Sequence, residues 1–171
     1  MARPYLISQY MNAGLPSISE QKRLPFRPDL KEVDALYRAI NRHIFDNALT
    51  QPEITIGTLQ KCWGRCNWLD QKQRRGSHAK PGTWCRIELY DKWIAPQWFC
   101  TTLAHEMVHQ YQWDIYRWDH LREFGREMYW DSGAHGPSFH MWRDVFQSWG
   151  MSLKQAHGQK RWFRHQDLFK C

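Results

Sequence analysis

Residues 96–118 constrain this chain more than any other stretch, because they put two histidines and a glutamate inside a helix that has to be buried. Pro96 suits a first helical position, where its missing N–H would have no partner anyway. Leu103, Met107 and Tyr111, with Ala104 and Val108, then recur at helical spacing and form an apolar stripe. His105, Glu106 and His109 lie in the same turns. Burying polar groups costs free energy unless something satisfies them, so this helix needs a reason for its imidazoles.

Their spacing offers one. Side chains at i and i+4 share a helix face about 5 to 6 Å apart, and two imidazoles so placed can both reach one tetrahedral zinc ion at about 2.0 to 2.1 Å. Glu106 points to a neighbouring direction, close enough to take a proton from a water that the ion acidifies, which is the chemistry of peptide hydrolysis. The pattern His-Glu-x-x-His has three fixed positions, and its alternative is a pair of ordinary helix histidines bonded to backbone or to Glu106. The helical context and the apolar spacers Met107 and Val108 favour the metal.

A catalytic zinc also needs a third protein ligand and an open position. A histidine six residues beyond His109 is excluded, since Ile115 stands there. Glu123 or Glu127 on a following helix is one candidate, and His135 in GAHGPSF is the other. The Gly-flanked turn before Pro137 favours His135, because it brings backbone and imidazole close to a metal while Phe139 and Trp142 anchor the helix that follows. His120 and His140 read as surface or hydrogen-bonded histidines.

The remaining chain reads as one α+β domain, and 171 residues with 42% hydrophobic content can build a single core. Residues 1–28, with Pro4, Pro16, Pro25 and Pro28, are expected to form an extended arm. Asp29 and Glu32 resemble a capping box ahead of a helix over 30–48, in which Leu30, Val33, Leu36, Ile40 and Ile44 recur at helical spacing. Strands are expected at 53–57, 63–69 and 84–90, the last alternating Cys85, Ile87 and Leu89 against polar or aromatic neighbours. Pro137 opens a final helix that stops at Gly150, and residues 151–171 form a basic, aromatic tail. Eleven tryptophans must mostly sit in the core or line a cleft.

Composition narrows the setting. No charge-free stretch approaches the roughly 20 apolar residues of a membrane span, and the N-terminus lacks a secretory apolar run. Five cysteines without a secretion signal argue for reduced thiols and a cytoplasmic protein, in the host cytoplasm if a phage encodes it. Cys62 and Cys66 with Cys85 have an unusual spacing for a second zinc, and buried thiols are the simpler account. The net charge of +7 concentrates between Lys61 and Arg86, a field that attracts polyanions such as nucleic acid.

From Leu36 to Gly150, through LYRAINRHIFDNAL, IELYDKWI, TTLAHEMVHQYQ and GAHGPSF, the chain resembles the SprT-like (Spartan-type) metallopeptidases. HGPSF after HExxH is the more family-specific element. The resemblance implies a zincin-like α+β fold over 29–150, with a small mixed or antiparallel sheet packed on helices that include the HExxH helix. It implies zinc held by His105, His109 and His135, Glu106 as general base, and proteolysis of proteins bound or crosslinked to DNA. The interval from His109 to His135 is longer than the family leads one to expect, implying an inserted helix or loop around Trp118 to Met128. The paired CxxC motifs of the C-terminal zinc ribbon found in many members do not occur, since only Cys171 follows the catalytic part. The loop cations Lys72, Arg74, Arg75 and Lys80 and the tail residues Lys160, Arg161, Trp162 and Arg164 are then the expected contacts to single- or double-stranded DNA, with indole faces for unpaired bases. The expected partners are therefore a protein substrate and DNA, with no membrane, and the chain is expected to be a monomer. A nucleic-acid-binding module with a structural or vestigial zinc is the alternative. A zinc hydrolase for a cell-wall peptide is a more distant one.

Overall fold

The computed structural model describes residues 5–13, 25–69, 84–117, 119, 123 and 134–153. In chain order its elements are α1 (Tyr5–Met11), α2 (Leu30–Ile44), β1 (Glu53–Gly57), β2 (Gly64–Trp68), β3 (Cys85–Tyr90), α3 (Pro96–Tyr111), a π-helical turn (Gln112–Tyr116), α4 (Pro137–His140) and α5 (Arg143–Ser148). This is the expected α+β, zincin-like class. Among the described residues no helix is long and apolar enough to cross a membrane.

Helix α2 begins as its capping box dictates: Glu32 N–H donates to Asp29 Oδ1 at 2.8 Å and Asp29 N–H donates to Glu32 Oε2 at 2.9 Å. It stops at Ile44, four residues before the expected end, because Asp46 and Asn47 take left-handed backbone angles (φ 52° and 58°). Those residue types enter that region at low cost. Asn41 then uses its buried amide like a strand partner, donating to Leu49 O at 2.8 Å and accepting Leu49 N–H at 3.1 Å.

The sheet has the order β1-β3-β2, with β1 parallel and β2 antiparallel to β3. Cys85, Ile87 and Leu89 point from β3 into the core and are fully buried, as their period of two requires. The opposite face carries charge: Arg86 pairs with Glu53 at 2.9 Å, and Arg65 and Asn67 both reach Glu88. Two cations of the basic stretch, Arg65 and Arg86, are thus spent within the sheet. Lys72, Arg74, Arg75 and Lys80, like the tail residues Lys160, Arg161, Trp162 and Arg164, lie outside the described residues.

Helix α3 crosses the inner side of this sheet. Trp98, Phe99, Leu103, Ala104, Met107 and Val108 are at most 1% exposed, and burying each large side chain contributes about 1.5 to 3 kcal/mol. A polar seam sets its rotation: Tyr37 Oη donates to Gln110 Oε1 at 2.9 Å, and Gln110 Nε2 donates to Thr50 O at 2.7 Å and Asp114 Oδ2 at 2.9 Å. Asp114 in turn accepts the Trp84 N–H at 2.8 Å, tying the π turn to the start of β3.

Three further expectations need correction. Residues 5–11, read as part of an extended arm, form α1, whose Ile7 and Tyr10 are buried in the core and whose end is held by Gln97 Nε2 donating to Met11 O at 3.3 Å. The helix expected over 96–118 keeps its start but changes to a π turn at Gln112. The helix expected from Pro137 to Gly150 is two short helices, broken where Trp142 packs its ring against Phe45 and Tyr111 at 4.5 and 4.9 Å. Its stop is as expected, with Gly150 at φ 73° and Met151 N–H donating to Phe146 O at 2.9 Å.

Candidate metal centre

His105 and His109 face one side of α3, and the turn before α4 brings His135 to meet them. The three Nε2 atoms are 3.2 Å (His105 to His109), 3.2 Å (His109 to His135) and 3.3 Å (His105 to His135) apart. Three neutral imidazoles cannot satisfy one another at one point, since each Nε2 offers either one proton or one lone pair. A tetrahedral ion with nitrogen ligands at about 2.0 to 2.1 Å separates its donors by about 3.3 Å. The donor set therefore fits a cation by both spacing and chemistry. Among the described residues it is the one group of His, Cys, Asp or Glu side chains that could hold a metal ion.

Glu123, the rival third ligand, is exposed and outside this group, and Glu127 lies outside the described residues. Cys62, Cys66 and Cys85 form no such group either. Cys85 is buried and Cys62 and Cys66 are half-buried; burial pushes all three thiols up from their ordinary value, and Cys66 and Cys85 hydrogen-bond each other. His140 sits beside Arg143, whose Nη2 is 3.1 Å from its Nδ1.

Phe139 explains why an aromatic follows the turn. It is fully buried, and its ring lies 4.8, 5.0 and 4.6 Å from the rings of His105, His109 and His135, so one side chain backs all three imidazoles. Burial pulls the His109 imidazole down to about 4; a hydrogen bond to Gln112 opposes this and repulsion from His135 adds to it. His135 is lowered as well, first by burial and then by His140. Both rings are thus neutral near pH 7, with a lone pair free for a ligand.

Glu106 is 5% exposed and lies against strand β2, beside Gly64 and the Cys66 backbone. Burial raises its carboxyl to about 8, while a hydrogen bond from the Cys66 backbone N–H opposes the rise. A cation next to it would favour the carboxylate and reverse that shift. The strand comes so near because residue 64 is glycine: a Cβ there would stand 2.9 Å from Thr102 Cγ2 and 3.1 Å from both Cγ and Oε1 of Glu106.

Four contributors escaped sequence reasoning: Gly64, the Cys66 N–H, Gln112 and Ser138. Gln112 stands three residues after His109 and Ser138 three after His135, a spacing that in hindsight marks them as neighbours of these two histidines. Gly64 and Cys66 come from a distant strand and left no local signal.

Neither a curated protein nor a solved structure matches the chain. Among protein families, residues 33–159 match the SprT-like family, a span that contains all three histidines, Glu106 and the sheet and runs past the boundary at 150 expected from the sequence. With most of its length covered by that match and a histidine triad suited to a metal ion, the chain belongs to the SprT-like family.

Proposed function

We propose that this chain is a zinc-dependent endopeptidase in which His105, His109 and His135 hold the metal and Glu106 is the general base. The observation that carries the reading is the meeting of three Nε2 atoms within 3.3 Å of one another, two of them from the helix that also holds a buried carboxylate. Three nitrogen ligands leave one tetrahedral position open, the arrangement of catalytic rather than structural zinc. When bound, zinc supplies a Lewis acid that acidifies a water and polarises the substrate carbonyl.

The protein's own groups do the rest. Glu106, in its ionised form, accepts the proton of the attacking water at a carboxylate oxygen and can return it to the leaving amine. The Cys66 N–H and the closeness of β2 at Gly64 hold that carboxylate in one direction. Strand β2 is an edge of the sheet among the described residues, and an extended peptide added along it would run beside Glu106. Phe139 packed behind the three rings keeps water from that side of the site.

Proteins bound or crosslinked to DNA are the proposed substrates. Family membership and the net charge of +7 support this, and the cations proposed to touch DNA are Lys72, Arg74, Arg75, Lys80, Lys160, Arg161 and Arg164, with Trp162 stacking on bases. The test compares wild type, Glu106→Gln and His135→Ala on a protein substrate with and without DNA. Glu106→Gln should keep zinc and lose about 100- to 10,000-fold in rate, whereas His135→Ala should lose the metal. A Glu106→Gln protein that holds zinc and cleaves as fast as wild type would overturn the mechanism.

A further inference from the structure

We propose that Gln112 is a positioning residue for this centre, selecting the tautomer of His109 and tying it to the segment that carries His135. The inference rests on the metal-binding reading above.

Gln112 is fully buried at the first position of the π turn, and both ends of its carboxamide are engaged. Its Oε1 lies 2.8 Å from His109 Nδ1, and its Nε2 donates to Ser138 Oγ at 2.8 Å. An amide oxygen can only accept, so the imidazole proton sits on Nδ1. The lone pair of the neutral ring is then on Nε2, the atom that meets His105 and His135. The amide achieves this without adding a negative charge to the buried side of the site.

Ser138, itself 2% exposed, stands on α4 three residues beyond His135. The path from His109 through Gln112 to Ser138 therefore links the helix that supplies two histidines to the element that supplies the third. A leucine at 112 would leave His109 Nδ1 and Ser138 Oγ without these partners and free the imidazole to turn.

Competition between the purified full-length protein and a chromophoric zinc chelator tests the idea without recourse to activity. Gln112→Leu should bind zinc about 10- to 100-fold more weakly than wild type, the range for partners of metal-bound histidines. Gln112→Glu should stay within about threefold, because a carboxylate accepts the same Nδ1 proton and can take a hydrogen bond from the Ser138 hydroxyl. Ser138→Ala should weaken binding less than Gln112→Leu, and adding it to Gln112→Leu should cost nothing more. Wild-type affinity in Gln112→Leu, or equal losses in Gln112→Leu and Gln112→Glu, would overturn the proposal while the metal reading stands. No zinc binding by the wild type would sink both, and that outcome is distinct from equal binding by every variant.

Discussion

Gly64→Ala is the sharpest perturbation of the carboxylate that leaves the histidines untouched. The new Cβ would lie 2.9 Å from Thr102 Cγ2 and 3.1 Å from Glu106 Cγ and Oε1, against about 3.5 to 4.0 Å for comfortable carbon contacts. Strand β2 or the Glu106 side chain must therefore shift by roughly 0.5 to 1 Å. Overpacking of this kind costs about 1 to 3 kcal/mol, and the stiffer unfolded chain offsets about 0.4 to 1 kcal/mol of it. The expected net loss is about 1 to 2 kcal/mol, or roughly 2 to 8 °C in the melting midpoint at this chain length. Gly57→Ala, at a strand position with nothing within 4 Å of its added carbon, should instead hold or raise the midpoint. If the proposed function is right, displacing Glu106 by such a distance should slow peptide hydrolysis by up to about 100-fold while zinc affinity stays at the wild-type value. Thermal unfolding of both variants, followed by chelator competition, gives the answer. A Gly64→Ala protein that melts at or above wild type would refute the close-packing argument.

Two further outcomes test the balance of forces around the site. Metal-free protein should lose stability as pH rises from 6.5 to 8, because folded Glu106 holds its proton up to about 8 while the unfolded carboxyl has already released it. Glu106→Gln should flatten that slope in thermal melts, and parallel slopes for the two proteins would contradict the assignment. Below pH 6.5 the unfolded state takes up a proton that buried His109, lowered to about 4, resists; this opposes the Glu106 slope, so the wild-type curve should level off there while Glu106→Gln, with no carboxyl to offset it, loses stability toward pH 4. Asn41→Ala, which strands both backbone groups of Leu49, should cost about 2 to 4 kcal/mol in urea unfolding. An unchanged urea midpoint would show that those groups find other partners.

Much of the site was legible because its chemistry is local. His105, Glu106 and His109 lie within five residues on one helix, and His135 stands on a turn announced by its flanking glycines. The capping box at Asp29 and Glu32, the inward period of β3 and the stop at Gly150 were legible for the same reason, since each depends on neighbours a few positions apart. The errors have the opposite character. Helix α1 forms because Ile7 and Tyr10 find a distant core, which no pattern within residues 1–28 reports. The early end of α2 comes with left-handed angles at Asp46 and Asn47 and with Asn41 reaching forward to Leu49, and the break at Trp142 coincides with rings supplied by Phe45 and Tyr111.

Residue types and helical periodicity, then, determined which side chains could share a metal, because i and i+4 geometry is a property of the helix alone. Only the tertiary structure decided that His135 closes the triad at 3.2 and 3.3 Å, that Phe139 backs all three rings, and that Glu106 is steered by a strand 40 residues earlier in the chain. Those contacts join segments that chain connectivity leaves far apart. They come together because burying α3 against the sheet removes apolar surface from water, and that force sets the distance at which the polar groups meet.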